Sequence, residues 1–127
     1  MEIGALIVDE QSDGRLLLRS VIENAKAGIF VVGEATNGAE AVEHAQTYDP
    51  KVIVLDNLMP GMSGVDAARI ILSKRPHQEI ILCTAYLDDH LIDQARAAGV
   101  EHFLAKDRTR KAPALITADV GAPPWPT

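Results

Sequence analysis

The run Lys51-Val-Ile-Val-Leu-Asp56 limits the folds open to this chain more than any other stretch. Val52, Ile53 and Val54 are β-branched, and with Leu55 they make an unbroken apolar run, the pattern of a strand buried on both faces. The run then stops on a carboxylate. A charge at the end of a buried strand is costly unless it sits at the mouth of the sheet or has a partner. Pro60, Gly61 and Gly64 follow, so the chain turns sharply. Val65, Ala68, Ile71 and Leu72 then recur at helical spacing. Strand, acid, Gly/Pro loop and helix is how an open α/β sheet presents a reactive group at its carboxyl edge. Taken alone, Asp56 could equally be a turn residue.

The rest of the chain repeats the unit. Ile3 to Val8 reads as a first strand ending on Asp9-Glu10. Ser12 or Asp13 can cap the next helix, whose apolar face would be Leu17, Leu18, Val21, Ile22 and Ala25, closed by Ala27-Gly28. Ile29 to Gly33 is a second β-branched run. Asn37 reads as the cap of an Ala- and Glu-rich helix with Ala41, Val42 and Ala45 on one stripe. Glu79 to Thr84 gives a fourth strand. Asp88 or Asp89 starts a helix carrying Leu91, Ile92 and Ala95, closed by Gly99. Val100 to Lys106 is a shorter, less apolar strand, expected near the sheet edge. Strands that alternate with helices over such spacings pair in parallel through right-handed crossovers, which implies an α/β doubly wound five-stranded sheet.

The end departs from this rhythm. Pro113 sits among Leu115, Ile116 and Val120, and proline is tolerated only in a helix's first turn. The expected division is a core over 1–107, an irregular segment or short fifth helix over 108–120, and a Pro-rich tail with Trp125 over 121–127. Whether the fifth helix forms, and whether the chain is truncated, stay open at this point.

A chain of 127 residues that is 47% hydrophobic and 24% charged fits one domain with a real core. No apolar run approaches the roughly 20 residues of a membrane helix, and Met1-Glu2-Ile3-Gly4 shows no secretory signal. The lone Cys83 lies inside an apolar run, fits a reducing cytoplasm, and reads as a small core residue instead of a nucleophile. A net charge of −6 argues against direct nucleic-acid binding by this segment.

Laid side by side, the strands end on Asp9 and Glu10, Asp56, Thr84 and Lys106, with Glu34 a weaker candidate at the end of the second. Three carboxylates in one cleft stay ionised together only if a cation compensates them, and hard oxygen ligands with room for water suit Mg²⁺. A lysine supplies a point charge for a phosphoryl group and a threonine hydroxyl a hydrogen bond to it. An aspartate between metal and lysine can attack phosphorus and become an acyl phosphate. His44, His77, His90 and His102 have no ligand spacing.

Asp9-Glu10, Asp56, the loop Met59-Pro60-Gly61-Met62-Ser63-Gly64, Thr84-Ala85, and Lys106 preceded by Phe103 together resemble the receiver domain of bacterial two-component response regulators, from about Gly4 to Asp107. The resemblance implies a flavodoxin-like receiver fold with strand order 2-1-3-4-5. It implies that Asp56 takes a phosphoryl group from a histidine kinase or phosphotransfer protein, with Mg²⁺ held by Asp9, Glu10, Asp56 and the backbone carbonyl of Leu58. Thr84 and Lys106 would contact the phosphoryl oxygens, and Phe103 would turn inward as Thr84 moves. A homodimer or an attached output domain would read the switch, in the cytoplasm and away from the membrane. Lys106-Asp107 is consistent with a parent chain that regulates transcription through a DNA-binding domain.

Two other functions compete. One is a Mg²⁺-dependent phosphatase or phosphotransferase with an aspartyl nucleophile; such enzymes want a second acid two residues on, where this chain has Leu58, so no enzymatic turnover of external substrate is expected. The other is a flavodoxin-like cofactor binder, which the acidic stretch after the first strand disfavours by repelling a cofactor phosphate.

Overall fold

The computed structural model describes residues 2–118. In chain order its elements are β1 (Ile3–Val8), α1 (Ser12–Asn24), β2 (Ile29–Ala35), α2 (Gly38–Tyr48), β3 (Val52–Leu55), α3 (Gly64–Lys74), β4 (Glu79–Thr84), α4 (Asp89–Ala97), β5 (His102–Ala105), a 3-10 segment (Lys106–Lys111) and α5 (Ala112–Ile116). The strands pair in parallel throughout, in the order β2-β1-β3-β4-β5. The doubly wound sheet implied by the run lengths is therefore the architecture, with the strand order implied by the resemblance. The Pro-rich tail and Trp125 lie outside the described residues.

Side-chain alternation along the strands divides the core into two layers. Leu6, Val8, Ile53, Leu55 and Leu82 face one side with Ala41, Ala45, Val65, Ala68, Ile71 and Ala95 from α2, α3 and α4. Ile3, Ala5, Ile7, Val52, Val54, Ile81 and Cys83 face the other with Leu18 and Ile22 of α1 and Ala112 and Ile116 of α5. Every residue of β1 and β3 is buried, as continuous apolar runs require when helices cover both faces.

Several local expectations need correction. No side chain caps α1: its first flanking residue is Gln11, and Ser12 and Asp13 lie inside the helix. The apolar face of α1 narrows to Leu18 and Ile22, while Leu17 is 50% exposed and Ala25 is exposed. Adjacent residues on a helix stand 100° apart, so Leu17 and Leu18 cannot both face the sheet. β2 runs two residues further than its apolar stretch, to Ala35, because its ladder with β1 continues to Val8↔Ala35. β5 is only His102–Ala105, which puts Lys106 just past the strand. Asn37 and Asp88 do cap α2 and α4, accepting from the backbone N–H groups of Glu40 and Leu91.

The segment after β5 resolves into a tight 3-10 turn followed by a five-residue helix with Pro113 in its first turn. Pro113 thus occupies the one place where its missing N–H costs nothing. Short as it is, α5 places Ala112 and Ile116 in the α1-side layer with no exposure at all. Truncating a fully buried isoleucine leaves a cavity that costs about 2–5 kcal/mol. Ile116→Ala is accordingly expected to lower unfolding free energy by that amount in chemical denaturation, whereas Ala114→Ser, on the exposed side of the same helix, changes it little.

Candidate functional site

The carboxyl ends of β1 and β3 lie side by side, because Val8 pairs with Leu55 and the next residues are Asp9 and Asp56. Both carboxylates are nearly enclosed, at 6% and 5% exposure. Lys106 reaches them from beyond β5. Its ammonium donates to Asp9 Oδ2 at 3.0 Å and to Asp56 Oδ2 at 3.0 Å. The second oxygens are fixed by backbone: the Gln11 N–H donates to Asp9 Oδ1 at 2.9 Å, and the Leu58 N–H donates to Asp56 Oδ1 at 3.2 Å. Two buried anions at this separation would repel, and one cation held equally by both offsets that repulsion.

The loop after β3 is built to hold Asp56 in place. Gly64 approaches so closely that a β-carbon there would lie 2.3 Å from the Asp56 carbonyl oxygen. The Gly64 N–H donates to the Asn57 carbonyl at 3.1 Å, the Val65 N–H donates to Asn57 Oδ1 at 3.1 Å, and the Ser63 side chain caps α3 by accepting from Asp66. On the other side of the pair, α1 passes directly against Asp9. A β-carbon on Gly14 would fall 2.3 Å from Asp9 Oδ2.

Thr84 ends β4, the strand beside β3, and is 1% exposed. Among the described residues its Oγ1 is the buried side-chain polar atom that has no hydrogen-bond partner. A buried hydroxyl left unpaired is unusual and asks for a ligand. Cys83, one residue earlier, is buried, and burial pushes its thiol up to about 11. It is therefore protonated and inert, in keeping with a core role.

The structure does not gather all the acids expected in the cleft. Glu10 is exposed beyond the end of β1, whereas Asp9 beside it is buried. Among the described residues no group of three His, Cys, Asp or Glu side chains converges. The pair Asp9–Asp56 is what comes together, with Lys106 between. Leu58 is 59% exposed with its backbone against Asp56. Phe103 is half-buried, packs against the core layer formed with α2, α3 and α4, and carries the Arg96 guanidinium 5.5 Å from its ring centroid. It also lines an apolar groove of about 770 Å³ with Leu87, Leu104 and Leu115.

Sequence reasoning missed Arg15, which holds the acidic end of β1, and left its partner Glu34 a weaker candidate. Arg15 reaches the Asp9 and Glu10 carbonyls and Glu34, and Glu34 is also paired with Arg19. Burial pushes the Glu34 carboxyl up, yet hydrogen bonds from Arg19 and Arg15 outweigh it and hold the group below the usual carboxylate range. The signal available was a glycine, Gly14, in the first turn of an otherwise well-formed helix, followed at once by an arginine.

The family model for the response regulator receiver domain matches residues 5–117. Chemotaxis protein CheY of Thermotoga maritima is 40% identical over 101 residues, 80% of this chain and 82% of that protein. Response regulator protein VraR of Staphylococcus saprophyticus is 31% identical over 84% of this chain, which spans only 50% of that longer protein. The signal receiver domain of the putative response regulator NarL from Mycobacterium tuberculosis superposes with a TM-score of 0.84 at 29% identity, covering 93% of this chain and 94% of that one.

Burial pulls the Lys106 ammonium down, but the hydrogen bonds it donates to Asp9 and Asp56, and their charges, raise it above its ordinary value of 10.5. A cation whose folded pKa is raised stabilises fully below the unfolded value and loses that contribution as pH climbs through the folded one. Denaturation across the alkaline range should therefore show a loss of stability above pH 10.5 that the Lys106→Met variant lacks.

Proposed function

This chain belongs to the response regulator receiver domain family, and from that premise we propose that it is a phosphorylation switch with Asp56 as its phosphoacceptor. Receiver domains of response regulators are signalling modules of two-component systems, and this is one of them. The observation that carries the proposal is the orphaned Thr84 hydroxyl, buried at the end of the strand beside the Asp9–Lys106–Asp56 cluster. It is a donor in want of an acceptor at the same sheet edge as a nucleophilic carboxylate.

The donor set fits Mg²⁺. Asp9 and Asp56 offer only oxygen, and Mg²⁺ commonly takes one or two carboxylates and completes its shell with water and phosphate oxygens. In the proposed site Asp9, Asp56 and the Leu58 carbonyl would hold the ion, with exposed Glu10 at the rim. Bound there, Mg²⁺ supplies positive charge that offsets the phosphoryl oxygens.

The chain's own residues then divide the work. An Asp56 oxygen attacks phosphorus of a phosphohistidine donor; the new O–P bond forms as the P–N bond breaks, and the imidazole leaves with the electron pair. Lys106 Nζ, already 3.0 Å from Asp56 Oδ2, donates to the transferred group, and Thr84 Oγ1 gains the partner that it lacks. The extra dianion biases the groove beside Phe103, where an output domain or a second copy would read it. The proposed donor is a histidine kinase or phosphotransfer protein in the cytoplasm. An output domain in a longer parent chain, DNA-binding in this proposal, accords with the chain's spanning only 50% of VraR. Exposed, apolar Leu58 supplies no acid for turnover of external phosphate esters, so catalysis beyond self-phosphorylation and self-dephosphorylation is not part of the proposal.

Incubation with acetyl phosphate and Mg²⁺ is expected to add the mass of one phosphoryl group to the intact chain. Asp56→Asn removes the addition, and Thr84→Ala slows it roughly tenfold, the worth of one hydrogen bond to a charged group. No addition to the wild type, or addition that survives Asp56→Asn, overturns the proposal.

A further inference from the structure

The acidic end of β1 is held from α1 by a side chain that the phosphoacceptor reading leaves without a task. Arg15 projects from the first turn of α1 and its side chain is 18% exposed. Its Nε donates to Glu34 Oε1 at 2.9 Å, while Nη1 donates to the Asp9 carbonyl at 2.8 Å and to the Glu10 carbonyl at 3.2 Å. Glu34 is held in turn from the other side, with Arg19 Nε at 2.8 Å and Nη2 at 2.7 Å from Oε2. One planar fork therefore ties the ends of two neighbouring strands to a helix.

What it ties is the backbone from which Asp9 and Glu10 hang. The Asp9 carboxylate has little freedom left: one oxygen takes the Gln11 N–H, the other takes Lys106, and Gly14 leaves no room for displacement toward α1. Such a fit holds only while the Asp9 backbone stays where it is. A planar guanidinium with several donors can grip two carbonyls and a carboxylate at once, whereas an ammonium on a flexible stem acts as a single point charge.

We propose that Arg15, anchored by Glu34, is a positioning residue for the phosphoacceptor centre, fixing the Asp9–Glu10 backbone so that Asp9 meets Mg²⁺ in a ready-made arrangement with Glu10 at its rim. The inference rests on the Asp56 reading above and adds to it a residue that touches neither metal nor phosphoryl group. Outer groups that orient metal ligands are worth roughly tenfold to a hundredfold in metal affinity.

The test compares Arg15→Ala, Arg15→Lys and Arg69→Ala with the wild type. Mn²⁺ binding to the unphosphorylated chain is followed by electron paramagnetic resonance, with thermal melts alongside. The Mg²⁺ dependence of phosphorylation by acetyl phosphate is measured separately. Arg15→Ala is expected to weaken Mn²⁺ binding and raise the Mg²⁺ needed for half-maximal rate by roughly tenfold. Arg15→Lys, which keeps the charge, does not restore either. Arg69→Ala makes the same change of net charge and leaves both within about twofold, since Arg69 is an exposed side chain of α3 paired with Asp66 and lies outside the Arg15–Glu34–Arg19 network. If Arg15→Ala does not fold, Arg15→Lys carries the comparison. Equal weakening in the Arg15→Ala and Arg69→Ala variants shows a charge effect and overturns the proposal, as does wild-type affinity in Arg15→Ala and Arg15→Lys. A wild type that neither binds Mn²⁺ nor takes up phosphoryl overturns the Asp56 reading itself, so the two failures are distinct.

Discussion

Lys106 lies 97 residues from Asp9 and 50 from Asp56 in sequence, yet its ammonium touches both carboxylates. The strand order explains the reach. β5 and β3 are separated by β4, so Lys106 must cross two strand spacings, about 10 Å, which a long lysine stem and a hydrogen bond can cover. In crossing, it passes the end of β4, where Thr84 is buried with its hydroxyl unpaired. Without that cation, two carboxylates nearly out of water would face each other across adjacent strand ends with nothing to offset their repulsion. The remaining parts of the site serve this arrangement: Gly14 and Gly64 let α1 and α3 press against it, and backbone N–H groups fix the outer oxygens.

Much of this was legible in the sequence because of how a parallel sheet is written. Strands covered on both faces read as unbroken apolar runs, so their ends are easy to see, and Asp9, Asp56, Thr84 and Lys106 are all strand-end residues. Parity was harder. Asp9 and Glu10 look alike as neighbours in a string, but the backbone sends one inward and the other to solvent. Leu17 was misjudged for the same reason on a helix. Arg15 was harder still: the glycine before it hints at a close approach, but only the packing of α1 on β2 brings its guanidinium to Glu34 and two carbonyls.

The fifth helix shows how a local conflict is resolved by tertiary structure. Proline and a cluster of basic residues make a poor helix over residues 108–120, and a regular helix of ordinary length does not form within the described part. The chain instead tightens into a 3-10 turn, closed by Thr109 donating to the Lys106 carbonyl at 2.6 Å, and then places Ala112 and Ile116 in the core. That turn also anchors the backbone of Lys106, so the irregular end of the fold and the charge at its centre are connected. The groove beside Phe103, bordered by α5, inherits its shape from the same segment.

The central claim is that the carboxylate gripped by Lys106 at the end of β3 is the group that takes up phosphoryl. Borohydride reduction locates it most directly, because an acyl phosphate is reduced to an alcohol at the residue that carried it. After incubation with acetyl phosphate and Mg²⁺, reduction and peptide mass mapping should find homoserine at position 56 and unmodified aspartate at position 9. Homoserine at position 9, or at no acidic residue of the chain, would contradict the account.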